Sequence, residues 1–141
     1  MTFGVRVHNH LHLVAEAQDR EALSRGMQGL LVRVARRLNR LWGRKGRVFV
    51  DRYHDRILRS PREVRAALGY VLRNARKHGS QWEDRLDPYS SGRWFDGWRE
   101  RRVGRQPIEP ASPVARARTW LLRLGWRRHG LIPLAYVPAG P

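Results

Sequence analysis

Hydrophobic and polar positions alternate with a period of two near the start of the chain. Val7, Asn9, Leu11, Leu13 and Ala15 fall on one side of an extended segment, and Arg6, His8, His10, His12 and Val14 on the other. This predicts one strand with an anchored face and a polar face. From Glu21 to Leu41 the spacing changes to i, i+3, i+4, i+7. Leu23, Met27, Leu30, Leu31, Val34, Leu38 and Leu41 make one apolar stripe, and Asp19 stands where an N-cap belongs, which predicts a long amphipathic helix. Gly43-Arg44-Lys45-Gly46 ends it in a basic turn. Residues 47–58, rich in Val, Phe, Tyr and Ile, read as one or two strands. Ser60-Pro61-Arg62-Glu63 combines a cap, a first-turn proline and a reciprocal glutamate. The helix it opens is expected to run to Lys77 and stop at Gly79, burying Val64, Leu68, Val71, Leu72 and Ala75.

Beyond Ser80 the texture changes. Asp87–Gly92 and Gln106–Pro110 read as loops, and Arg93–Trp98 is too short and aromatic to assign. Ser112-Pro113 predicts a second short helix over 113–124, with Val114, Ala117, Leu121 and Leu124 on one face. The Pro- and Gly-rich end reads as an irregular tail. The expected organisation is a first domain over residues 1–80 and a C-terminal extension over 81–141, α+β in class.

The length of 141 residues fits one domain with an appendage, and a hydrophobic content of 41% fits a folded chain. No run approaches the roughly 18 apolar residues of a membrane helix, so no membrane partner is expected. The start carries no basic-then-apolar leader pattern, which makes a cytoplasmic, nucleoid-associated protein the expectation. The absence of cysteine excludes disulfides, thiolate metal sites and a cysteine nucleophile. The net charge of +17 implies a polyanionic partner, most simply nucleic acid. Only Lys45 and Lys77 are lysines. Arginine forks suit phosphate, although a GC-rich genome exchanges Lys for Arg without functional reason; such exchange does not create the net charge. Residues 1–80 hold 18 basic and 6 acidic residues. Arg33, Arg36, Arg37, Arg40, Arg44, Lys45 and Arg47 are the candidate DNA contacts; a merely solvated face is the alternative.

Imidazoles at i, i+2 on one strand face lie roughly 7 Å apart, so His10 and His12 can converge on a divalent ion. Tyr70 and Asn74 stand one helical turn apart. A tyrosine hydroxyl can attack a phosphodiester and form a covalent phosphotyrosine, and a cation assists phosphoryl transfer by neutralising charge. Two histidines and the Asn74 amide oxygen suit a hard ion such as Mg²⁺ or Mn²⁺. The alternative is solvated histidines, a packing tyrosine and an exposed asparagine.

Several blocks in order make the chain resemble a known family. His10-Leu11-His12 is similar to the histidine-hydrophobic-histidine signature of the HUH endonuclease superfamily. Leu23–Gln28, Gly46–Tyr53 and Gly69-Tyr70-Val71-Leu72-Arg73-Asn74 resemble the single-tyrosine transposases of the insertion-sequence-200-like type, nearest the REP-associated tyrosine transposases. The resemblance spans residues 5 to 79. It implies a ferredoxin-like antiparallel sheet with packed helices, metal binding by His10, His12 and Asn74, and Tyr70 as nucleophile. It implies single-stranded or hairpin DNA as partner, a 5′-phosphotyrosine with a free 3′ hydroxyl, and in some members a homodimer. Family members usually carry a strand, a helix and a further strand before the histidine strand, whereas seven residues precede His8 here. An incomplete sheet is therefore expected. A rival expectation is a non-catalytic, basic nucleic-acid-binding remnant, truncated or domesticated. A basic RNA-binding accessory protein, with the His/Tyr/Asn set coincidental, is a third.

Among other residues, His8 is expected to be structural rather than an auxiliary ligand, and Tyr53 and His54 either to pack or to line a DNA groove. Trp82, Trp94, Trp98, Trp120 and Trp126 are candidates for base stacking, with closure of a small hydrophobic cluster the favoured reading.

Overall fold

The computed structural model describes residues 1–7, 11–77, 86–100 and 111–136, with 5–7 and 74–77 defined by backbone alone. The chain is mixed α+β and divides into two compact units, Met1–Leu58 and Arg59–Pro141. Several expectations lie outside the described residues: those on His8, Asn9 and His10, the helix stop at Gly79, the domain boundary at residue 80, Trp82, the Gln106–Pro110 loop and the last five residues of the tail.

The first unit contains β1 (Thr2–Val7), β2 (Leu11–Glu16), α1 (Arg20–Leu41) and β3 (His54–Leu58). The strands form one antiparallel sheet in the order β2-β1-β3. Thr2 to Val7 pair with Glu16 to Leu11, and Thr2 to Arg6 pair with Leu58 to His54. The single strand expected across residues 6–15 is thus two strands. Val7 and Leu11 oppose each other across an antiparallel ladder, so the chain reverses between them. Period-two alternation reports extended backbone but not its length. Folding the segment back gives each half the hydrogen-bond partners that a lone strand lacks.

Asp19 caps α1, its Oδ1 accepting from the Ala22 N–H at 2.7 Å. The core of the unit is Phe3, Leu23 and Met27, with Leu11, Leu13, Ala15, Leu30, Leu31, Phe49, Tyr53 and Ile57 packed around it. The anchored face of β2 and the first half of the α1 stripe therefore stand as expected. Leu41 does not belong to the stripe, since it is 78% exposed. A helix of 22 residues is about 33 Å long, whereas a six-residue strand spans about 20 Å, so the last turns of α1 run past the strands.

Strand structure is confined to His54–Leu58; residues 47–53, expected to contribute a strand, are irregular. Their backbone is held differently. Arg44 Nη2 donates to the Arg47 carbonyl at 3.2 Å, and Arg47 Nε donates to the Phe49 carbonyl at 2.8 Å.

The second unit opens with α2 (Pro61–Lys77). Its capping box is complete: the Glu63 N–H donates to Ser60 Oγ at 3.2 Å, and the Ser60 N–H donates to the Glu63 carboxylate at 3.0 Å. Ser60→Ala removes one half of this exchange and is expected to lower stability by about 1 kcal/mol. A thermal melt should record this as a drop of a few degrees. Val64, Leu68 and Leu72 are buried as their spacing predicts, and Arg73 is buried beside them in sequence.

Farther on, a 3-10 turn spans Ser91–Trp94, and α3 (Trp120–Arg123) runs into a second 3-10 turn, Gly125–His129, which packs against α2. The helix expected over 113–124 is thus reduced to its last turn. Ser112 Oγ accepts from the Val114 N–H in a local turn, and the helix cap is Thr119, which accepts from the Leu122 N–H. Val114 and Leu124, expected on a buried face, are about half exposed.

Residues 130–136 are no loose tail. Ile132 is fully buried and bridges Trp98, with the Arg99 N–H donating to the Ile132 carbonyl at 2.9 Å and the Ile132 N–H to Gly97 at 3.0 Å. The Leu134 N–H donates to the Glu100 carboxylate at 2.8 Å, and this bond holds the carboxyl below its ordinary pKa. Phe95 meets Trp98 edge-on at 5.2 Å and stacks on Trp126 at 5.5 Å. Trp98 and Trp126, each 1% exposed, are therefore core residues, as the cluster reading held.

Candidate functional site

Two elements carry the residues singled out for chemistry, one in each unit. In the second unit, Tyr70 lies midway along α2 and is half-buried, with Asn74 one turn further along the same helix. The capping box at Ser60 and Glu63 fixes where this helix begins, and hence the phase of every later position. Gly69 has its own structural reason. A Cβ there would stand 2.6 Å from the Tyr136 ring, so only glycine admits that ring against the helix. Arg65, one turn earlier, donates to the Gly130 and Leu131 carbonyls at 2.9 and 3.2 Å and holds residues 130–131 against α2.

In the first unit, His12 sits on β2. Since Leu11, Leu13 and Ala15 pack on the core, strand alternation assigns His12 and Val14 to the opposite face. Register adds what the sequence could not show. Arg6 on β1 is paired with His12 on one side and with His54 on the other. Residues directly opposite in a ladder share a face, so His12, Arg6 and His54 form one row across the sheet. His54 is exposed and His12 half-buried. Asp55, the carboxylate adjoining His54, faces Arg20 at 3.6 Å.

Of the three expected metal ligands, His12 alone has a described side chain; His10 lies outside the described residues, and Asn74 is defined by backbone alone. Among the described residues no group of three or more His, Cys, Asp or Glu is placed to hold a metal.

The basic residues are where a polyanion can reach them. Arg33, Arg36, Arg37 and Arg40 on α1 are exposed, as are Arg44, Lys45 and Arg47 in the loop that follows. Glu21, which pairs with Arg25, is the sole carboxylate on α1. From Ala22 to Val50 the sequence has no acidic residue at all. At neutral pH this stretch presents an unrelieved positive field. Among the described residues no helix is long and apolar enough to cross a membrane.

Comparison of the chain with known protein families, with curated proteins and with solved structures yields no match.

Two residues escaped the sequence reading. His54 is expected to pack or to line a groove, and its place in one row with His12, across Arg6, depends on strand order, which no local pattern encodes. Trp42 is not among the tryptophans expected to stack on bases, yet it is 53% exposed with the Arg44 guanidinium 5.2 Å from its ring centre. An aromatic flanked by Arg40, Arg44, Lys45 and Arg47 was the available signal.

Proposed function

We propose that this chain cleaves and rejoins single-stranded DNA through Tyr70, as a single-tyrosine transposase of the HUH type built on a ferredoxin-like domain. The observation that carries the reading is α2 itself, a firmly capped helix that presents a half-buried tyrosine with an asparagine one turn on. The exposed arginines of α1 support it by supplying the phosphate-binding charge that a DNA substrate requires.

In this reading the Tyr70 oxygen attacks a backbone phosphorus and the bond from phosphorus to the 3′ oxygen breaks. The tyrosine proton passes to solvent, and the departing 3′ oxygen takes up a proton to become a free hydroxyl. The 5′ phosphate stays on Tyr70 as a phosphodiester, so a second 3′ hydroxyl can reverse the step without an external energy source. His10, His12 and Asn74 are the proposed ligands of a divalent Mg²⁺ or Mn²⁺, whose contribution when bound is to offset charge on the phosphate.

A second reading is favoured by one observation. Backbone register pairs Arg6 with His12 on one side and with His54 on the other, which places a basic residue type, not a further metal-ligand type, next to His12. A His12–Arg6–His54 row suits phosphate without chemistry, as in a non-catalytic nucleic-acid-binding protein.

The experiment that separates the two is incubation with labelled single-stranded hairpins and Mn²⁺, followed by denaturing electrophoresis. The nuclease reading expects a denaturation-resistant adduct that disappears when EDTA removes the metal. Salt-sensitive binding with no adduct across a hairpin panel overturns it in favour of the binding protein.

A further inference from the structure

The loop that leaves α1 is more built than a connection needs to be. Asn39 Nδ2 donates to the Gly46 carbonyl at 2.7 Å, while the Arg44 N–H donates to the Asn39 carbonyl at 2.9 Å and Arg44 Nε to Asn39 Oδ1 at 3.4 Å. Gly43 and Gly46 take positive φ of 61° and 105°, which closes the turn around these bonds. Arg44 and Arg47 fasten the following residues through the Arg47 and Phe49 carbonyls. A loop shaped in advance loses little entropy when a ligand arrives.

What this frame displays is an indole amid cations. Trp42 is 53% exposed, whereas the tryptophans with a packing role, Trp98 and Trp126, are each 1% exposed. Arg40, Arg44, Lys45 and Arg47 surround it in sequence, and all are exposed. These bonds occupy Arg44 Nε and Nη2 and Arg47 Nε. An arginine has five donor hydrogens, so donors remain on both.

We propose that residues 42–47 bind an unpaired nucleotide, with its base stacked on Trp42 and its flanking phosphates held by Arg44, Lys45 and Arg47. The inference rests on the reading of nucleic acid as the partner, and deepens it by naming where and in what state the strand is held. Stacking selects the unpaired state, because a duplex keeps its base faces inside its own stack. Phosphate contacts add affinity without sequence preference, so the loop accepts single strands of any composition.

The test is fluorescence anisotropy of the full chain with a labelled oligothymidine, with a blunt duplex of equal length as comparison, across a salt series. Trp42→Ala is expected to weaken oligothymidine binding roughly 5- to 150-fold, the range of one base–aromatic stack, and to leave the salt slope unchanged. Trp42→Phe keeps a stacking face and is expected to retain most of the affinity. Lys45→Ala should instead lower the salt slope by about 0.7, the value for one phosphate contact on a single strand. Trp120→Ala, at an exposed tryptophan in the second unit, should bind as the parent does.

Circular dichroism melts confirm that each variant is folded. Parent-like binding by Trp42→Ala overturns the inference while leaving the nucleic-acid reading intact. Equal losses in Trp42→Ala and Trp120→Ala, or an equal loss on blunt duplex, also overturn it. If the parent protein binds no nucleic acid at all, the inference and the underlying reading fall together.

Discussion

Tyr70→Phe abolishes the denaturation-resistant DNA adduct while salt-sensitive DNA binding stays within about twofold of the parent, if Tyr70 is the nucleophile. The substitution deletes one oxygen and keeps the ring, so the packing of a half-buried side chain on α2 is largely preserved. Binding should persist because the basic residues of α1 and its following loop, the proposed phosphate contacts, are untouched. Denaturing gels measure the adduct, anisotropy measures the binding, and a melting curve guards against a folding defect. The other three tyrosines offer a clear counter-outcome. Tyr53 packs at the core of the first unit, Tyr136 lies over Gly69, and Tyr89 is 96% exposed. Undiminished adduct would move the nucleophile to one of them, with Tyr89 the most accessible.

Trp98→Ala carries the largest expected effect on stability, a loss of about 3–5 kcal/mol. Its ring is 1% exposed and edge-on to Phe95 at 5.2 Å, and its Nε1 donates to the Gly92 carbonyl at 2.8 Å. Truncation opens a cavity and removes one of the two hydrogen bonds that the Gly92 carbonyl accepts, the other coming from the Phe95 N–H at 3.2 Å. A domain of this size has only about 5–15 kcal/mol in all, so the second unit should be marginal at ambient temperature. The measurement is urea unfolding followed by near-ultraviolet circular dichroism. Trp98→Phe, which fills part of the space without the donor, should fall between the two. A Trp98→Ala midpoint close to that of the parent would show that the Trp98–Ile132 bridge does not anchor the unit.

What the sequence made legible was local. Asp19 and Ser60–Glu63 marked both long helices because a cap acts over three or four residues, and the apolar stripes then set which faces are buried. The period-two pattern correctly sorted Leu11, Leu13 and Ala15 from His12. It failed on strand length, because alternation continues in sequence across a point where the chain reverses. The segment 47–53 is rich in strand-forming residues, yet arginine side chains satisfy its Arg47 and Phe49 carbonyls and compete there with the ladder. Spacing over 113–124 imitates a helix, while Ser112 spends its hydroxyl on a turn and the helix waits for Thr119. Of the candidate site, the placement of Tyr70 and Asn74 one turn apart was readable because one helix carries both. The row of His12, Arg6 and His54 was not, since it arises from β1 standing between strands that are distant in sequence.

That central position of β1 has a consequence during synthesis. β1 leaves the ribosome before either partner, and β2 follows at once, so the hairpin can form within roughly 1–10 μs. The other side of β1 waits for Leu58, some 50 residues later, an interval of roughly 3–10 s at translation rates of about 5–20 residues per second. For those seconds a row of unpaired backbone groups is open to any neighbouring strand, including another nascent copy. Overproduction at high ribosome density should therefore trap the chain in insoluble material, and slower translation should raise the folded yield.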